Sequence, residues 1–197
     1  NKPTNTIREL TTVNGLSGDA ISAIRFFSEV NSIYIGYENG LIQIYNLTDN
    51  SILNVVDIID KPTILPENKR INQFYLNESI VYVSADFGIS EFSLINVEFG
   101  DTFFIGNNNS QVKVRSTVVK EGQIYAATAN GLKRADLSNP NLIDSNQWSI
   151  ISGGNWNKLI NIDNTVFGTL TNRIYEVTNT ILLRATLPET IIYLANS

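Results

Sequence analysis

Four copies of one strand–turn–strand pattern, an interval near 40–50 residues between them, and no sustained 3.6-residue apolar period predict an all-β propeller. About four four-stranded blades, forming part of a larger ring, are expected. The clearest copy is Asn31–Leu47, NSIYIGYENGLIQIYNL. There Ile33-Tyr34-Ile35 leads into a turn at Glu38-Asn39-Gly40, and Leu41–Tyr45 runs back. Copies recur at Ile80–Leu94, Ile124–Leu137 and Val166–Asn179. Tyr34, Tyr82, Tyr125 and Phe167 share one position, spaced 48, 43 and 42 residues apart. Gly40, Gly88, Gly131 and Arg173 share another, six residues later. Asn-Gly at the tip predicts a type I′ turn, which needs φ > 0 at both central residues. Arg173 implies a different turn, or an unusual left-handed residue, in the fourth copy.

Around these hairpins the blades are expected at 20–58, 71–105, 112–151 and 156–187. Ile7–Thr11 reads as a short strand of an incomplete preceding blade, followed by a Gly-rich connection, Asn14–Asp19. Ala20–Phe27 alternates as an innermost strand should, with Ile21 and Ile24 as core anchors. Ser51–Ile58 supplies the outermost strand. Asp60–Arg70, with Pro62, Pro66 and the pair Lys69-Arg70, connects to the second blade. That blade is read as Ile71–Leu76, Ile80–Ala85, Ile89–Leu94 and Thr102–Ile105. Gly106–Gln111 breaks to the third, at Val112–Val119, Gln123–Thr128, Gly131–Leu137 and Trp148–Ile151. The fourth opens at Trp156–Ile162 and closes at Ile181–Leu187. Thr190–Ala195 reads as the inner strand of a further blade. An open arc exposes its end faces, around Ile21, Ile33 and Leu41 at one end and Ile160, Val166 and Ile174 at the other. The chain is therefore expected to self-associate through its terminal blades.

A chain of 197 residues can bury a substantial core, and no apolar run approaches the length a bilayer demands. Net charge is −5 and the isoelectric point about 4.7, which argues against nucleic acid or an anionic membrane as partner. The 26 Asn and 12 Gly suit a turn-rich β protein. With no Cys and no His, zinc sites of the Cys/His type, thiol nucleophiles and Ser-His-Asp triads are excluded. No metal or cofactor is expected. Residue 1 is not Met, so the chain reads as a piece of a longer one, with any leader out of view.

In a propeller the connections between blades and the turns between second and third strands open on one face. That places Asn14–Asp19, Asp60–Arg70, Gly106–Gln111 and Gly153–Asn157 beside the four hairpin tips. Loops on a rigid scaffold are where binding is carried. The candidates there are Asp19, Glu38, Lys69, Arg70, Asp86, Phe87, Asn130, Trp156 and Arg173. Lys69-Arg70 could meet an anionic sugar or phosphate, or be a solvated pair flanking the inner strand, or a partner for Asp60 and Glu67. Trp156 could stack on a sugar ring, although both Trp148 and Trp156 read more readily as core. The carboxylates Asp19, Glu38, Asp86, Glu98 and Asp101 would need about 5–10 Å separation across a substrate to work as an acid–base pair. Asp in turns usually caps backbone instead, and no catalytic residue is assigned. Asp86-Phe87-Gly88 spells a kinase metal motif, yet that motif requires a kinase fold; here it is a turn.

The segment LTTVNGLSGDAISAI (Leu10–Ile24) resembles the repeat of two-component-regulator propellers. YENGLIQIYN, KRINQFYLNESIVYVSADFGISEF and EFGDTFFIG together resemble the first propeller of the PorZ family, components of the type IX (Por) secretion system of Bacteroidetes. The likeness covers Ile7–Gly106, and the later repeats match as generic blades. It implies a non-enzymatic scaffold at the periplasm or outer-membrane surface of a Gram-negative bacterium. Its expected partners are proteins of an outer-membrane secretion complex or an anionic glycan such as lipopolysaccharide. Nucleic acid and a transmembrane segment in this chain are not expected. The alternative is the periplasmic, oligosaccharide-sensing propeller of a hybrid two-component histidine kinase.

Overall fold

The computed structural model describes residues 7, 9–178 and 180–191. Strand-forming runs rich in Ile, Val, Tyr and Phe, cut by Asn, Gly and Asp, give four antiparallel sheets. Blade 1 holds β1 (Ile21–Phe27), β2 (Ser32–Tyr37), β3 (Ile42–Asn46) and β4 (Ile52–Val55). Blade 2 holds β5 (Ile71–Asn77), β6 (Ile80–Ala85), β7 (Gly88–Ser93) and β8 (Glu98–Phe103). Blade 3 holds β9 (Val114–Lys120), β10 (Gln123–Thr128), β11 (Gly131–Asp136) and β12 (Ser149–Ser152). Blade 4 holds β13 (Trp156–Ile162), β14 (Thr165–Leu170), β15 (Arg173–Val177) and β16 (Ile181–Thr186). Strands follow chain order from the inner to the outer edge of every sheet. This is the propeller that the repeats predict.

The blades pack face to face in succession, with β1 against β5, β5 against β9 and β9 against β13. Each seam is an apolar cluster. Tyr34 fills the first, meeting Phe27 edge-on with ring centroids 4.9 Å apart, and Phe74 and Phe92 of blade 2 at 6.0 Å. Tyr82 and Tyr125, one and two repeats on, fill the second and third. The shared tyrosine position is thus the plug of each seam. Burial pushes the Tyr34 and Tyr82 phenols up to about 12.

Ile21 and Ile24 are not core anchors. They are 45% and 63% exposed. A bulge between Ile21 and Ala23 shifts the alternation of β1. Beyond it the alternation is regular: Ala23 and Phe27 join the seam with blade 2, and Ile24 turns to the opposite face. Leu41 and Val166, expected at exposed ends, are buried. Leu16 of the leading connection packs on the cluster that contains Leu41, and Val166 faces the seam with blade 3. Ile33, Ile160 and Ile174 are half-buried.

The outer strand of blade 2 starts four residues before its expected position, at Glu98 rather than Thr102. Glu98, Gly100 and Asp101 look like turn residues, yet they are the solvent-facing positions of an edge strand. The turn lies earlier, where Val97 takes φ +57°. One α-helical turn, α1 (Asp57–Asp60), sits in the connection to blade 2. The expected strand at 7–11 is not formed at residues 7 and 9–11, and Arg8 lies outside the described residues. Of the expected strand at 190–195, residues 190 and 191 are not strand and the rest lies outside the described residues. No helix among the described residues is long and apolar enough to cross a membrane.

Type I′ geometry lies at the opposite end of the sheets from the Asn-Gly tips. Glu121-Gly122 (φ +51° and +71°) and Asp163-Asn164 (φ +47° and +59°) join the first and second strands of blades 3 and 4. At the Asn-Gly tips only the glycine has positive φ: +91° at Gly40 and +146° at Gly131. The repeated glycine answers a second demand, close approach. A Cβ on Gly88 would lie 2.2 Å from the Phe103 carbonyl oxygen, and one on Gly131 would lie 2.9 Å from that of Ser152. Blade 4 makes a different turn, with Thr171 at φ +57° in place of Arg173.

Candidate functional site

The connections and hairpin tips share one face. Its backbone frame, in the first three blades, is a bond from the tip to the residue that precedes the same blade's inner strand. Glu38 N donates to Ala20 O at 3.0 Å, Asp86 N to Arg70 O at 3.0 Å, and Ala129 N to Lys113 O at 3.2 Å. The side chains then run between blades. Arg70 Nη1 reaches back to the Glu38 carboxylate, and Lys113 Nζ to Asp86 Oδ2 at 2.8 Å. Glu38 and Asp86 occupy one repeat position, and Arg70 and Lys113 another, so the same ion pair is built twice. Arg70 therefore pairs with Glu38, not with Asp60 or Glu67.

Beneath these pairs a second set starts from the inner-strand bulges of blades 2, 3 and 4 and crosses the second and third seams. Asn72 Nδ2 donates to Asp86 Oδ1 at 2.7 Å and to Val114 O at 2.8 Å. Arg115 Nη1 donates to Trp156 O at 3.1 Å, and Asn157 Nδ2 to Ile191 O at 2.8 Å. Apart from the Asp86 carboxylate, the acceptor is main chain further along the sequence. Burial lowers the Arg115 pKa, with the nearby Asp86 charge pulling the other way.

Several candidates are committed to this framework. Lys69 donates to Ile59 O within its own connection. Asp19 accepts from Asn39 Nδ2 at 3.0 Å and from the Ser17 hydroxyl. Phe87 and Trp156 are not on the face at all, each being 0% exposed. Phe87 turns down against Phe104, and Trp156 lies in the third seam with Nε1 on Gly153 O at 3.0 Å. Burial of the whole indole removes Trp156 as a sugar platform. Trp148 is also core, its Nε1 bonded to Leu142 O at 3.0 Å. Asn130 and Arg173 remain exposed at their tips.

The candidate carboxylates do not converge. Asp86 is tied to Lys113 and Asn72 at the face, whereas Asp101 lies on the outer strand beside Glu91. Burial raises the Glu91 pKa, the Asp101 charge adds to it, and an Asp101 backbone hydrogen bond partly offsets both. Among the described residues no group of three or more acidic, His or Cys side chains could hold a metal ion.

Lys113, Asn72 and Arg115 escaped the sequence reading. The repeat carried the signal: Lys113 stands 43 residues after Arg70, immediately before an inner strand as Arg70 is.

The family model of the type IX secretion system PorZ N-terminal β-propeller domain matches residues 1–149. The chain belongs to that family. The match extends past Gly106 through the first three strands of blade 3. Among solved structures, the propeller resembles PorZ of Porphyromonas gingivalis, a bacterial surface component of the type IX secretion system. The TM-score is 0.75 at 19% identity, over 92% of this chain and 24% of that one. It also resembles the extracellular domain of a putative hybrid two-component system from Bacteroides thetaiotaomicron. That likeness has TM-score 0.64 and 16% identity, over 87% of this chain and 24% of that one. Virginiamycin B lyase from Staphylococcus aureus shares the fold at TM-score 0.61 and 16% identity, over 86% and 56% of the two chains. No curated protein matches in sequence. The chain spans about a quarter of the solved PorZ chain.

Proposed function

We propose that this propeller is a non-enzymatic binding scaffold of a type IX secretion component, acting outside the cytoplasm at the cell surface. The family match over residues 1–149 carries the reading. The four blades would form an arc of a larger ring. The face of connections and hairpin tips is its binding surface, toward a protein of the secretion complex or an anionic glycan such as lipopolysaccharide. The double ion pairs hold that face rigid, and the exposed tips Asn130 and Arg173 are the groups it offers. The likeness to a two-component extracellular domain supports a second reading, an oligosaccharide sensor.

The test is surface plasmon resonance of the chain over immobilised anionic lipopolysaccharide and over neutral dextran. Salt-sensitive retention on lipopolysaccharide alone, weakened in Arg173→Glu, supports the glycan arm; no retention, or equal retention on both, removes it. Photo-cross-linking from position 130 in cells that run type IX secretion tests the protein arm. Cross-links to no secretion component would remove that one.

A further inference from the structure

At one repeat position the four blades carry Gln43, Ser90, Lys133 and Tyr175, opposite Ile35, Val83, Ala126 and Gly168 of the neighbouring strand. In three blades this side chain is long and reaches toward the connection that leads into its own blade. Gln43 Nε2 donates to Gly15 O at 3.0 Å, and Lys133 Nζ to Ile105 O. The Tyr175 ring packs 5.4 Å from that of Trp156, at the end of the last connection. Ser90 is too short to do the same. Its hydroxyl meets Thr102 Oγ1 at 2.9 Å, and Lys61 of the connection reaches in to that oxygen, also at 2.9 Å. The space left open is a cleft of about 490 Å³ between α1 and blade 2.

The groups around this cleft narrow what it could hold. Lys61 spends one N–H on Thr102 and makes no ion pair among the described residues, so two donors remain. Asp57 and Asp60 of α1 stand exposed on the rim. Phe99, set edge-on to Phe92 at 5.0 Å, forms an apolar wall. Two carboxylates against one ammonium repel a polyanion. The Lys–Thr–Ser base would be desolvated at a cost by a purely apolar guest. A ring that carries several hydroxyls and one C–H face satisfies both conditions. Its hydroxyls would donate to Asp57 and Asp60 and accept from Lys61, while its C–H face would lie on Phe99.

We infer that the cleft between α1 and blade 2 binds an uncharged pyranose residue, free or at the end of a glycan. The inference does not rest on the proposed face, since it uses other residues and a ligand of different charge.

The experiment is saturation-transfer difference NMR on the full chain with the methyl glycosides of glucose, galactose, mannose and N-acetylglucosamine, and glucuronate as the anionic control. Signal is expected from at least one neutral glycoside and should disappear in Ser90→Gln. That substitution gives blade 2 the residue blade 1 already carries at this position. Thermal melting checks that the variant folds; should it not, Asp60→Ala on the exposed helical turn takes its place, with at least a several-fold loss of signal expected. No signal from any neutral glycoside, glucuronate signal as strong as theirs, or full signal from the folded variant would overturn the inference.

Discussion

The Lys113 ammonium lies 2.8 Å from Oδ2 of Asp86, across the seam between blades 2 and 3, where one repeat earlier Arg70 meets Glu38. The Asp86 side chain is 15% exposed and also accepts from Asn72. Replacing Asp86 by Ala strands two donors at once, and about 1–2 kcal/mol of stability should be lost. A double-mutant cycle with Lys113→Ala, read by urea unfolding, checks the pair directly. Strict additivity of the two substitutions would show that the contact contributes nothing.

Gly131→Val should destabilise by about 1–3 kcal/mol. The reason is twofold: φ of +146°, and a Cβ only 2.9 Å from the Ser152 carbonyl oxygen. Gly122→Ala is the control, because nothing lies within 4 Å of its Cβ and only φ of +71° is strained. Gly131→Val should therefore melt lower than Gly122→Ala. Equal melting temperatures would contradict the close approach.

Glu91 supplies a pH dependence. Its folded pKa is raised, so the native state holds the proton more tightly than the unfolded chain does. The resulting stabilisation is complete below the ordinary glutamate value near 4.5 and is lost as pH climbs through the raised folded value. Glu91→Gln cannot ionise. Its melting temperature should stay flat across that window and exceed wild type above it. Parallel curves for the two proteins would refute the assignment.

Self-association is the fourth expectation. Ile24 and Phe26 are 63% and 48% exposed on β1, and Leu182 and Leu183 are 43% and 53% exposed on the edge strand β16. Apolar groups on an open sheet face and an unpaired edge invite a second copy. Light scattering at roughly tens of micromolar should give a dimer or larger species. Phe26→Lys should shift it toward monomer. A wild-type monomer at that concentration removes the expectation.

The hairpins were legible because alternation and glycine coincide there: Tyr34, Tyr82 and Tyr125 mark the seams, and Gly40, Gly88 and Gly131 the tips. Outer strands were less so, since an edge strand such as β8 wears the residues of a loop. Inner-strand bulges hide from a simple two-residue period, which bears on Ile21, whereas Ile24 faces away from Ala23 and Phe27 by plain alternation. Phe87 as a surface candidate failed for a related reason: it lies next to a turn in the chain, but its ring drops into the seam below. The core reading of Trp156 holds, and its alternative as a sugar platform does not. The ion pairs needed two repeats to be compared with one another, because neither Lys113 nor Arg70 carries a motif of its own.

The donors Asn72, Arg115 and Asn157 each hand a hydrogen bond to a backbone carbonyl further along the chain. A carbonyl is present whatever amino acid stands there, so the joint places no demand on the identity of the residue that receives it. The receiving residue can therefore drift without loss of this bond, while the tyrosine plug of each seam and the charges paired above the first two still tie a blade to its own neighbour. Part of each joint is indifferent to sequence and part of it is not.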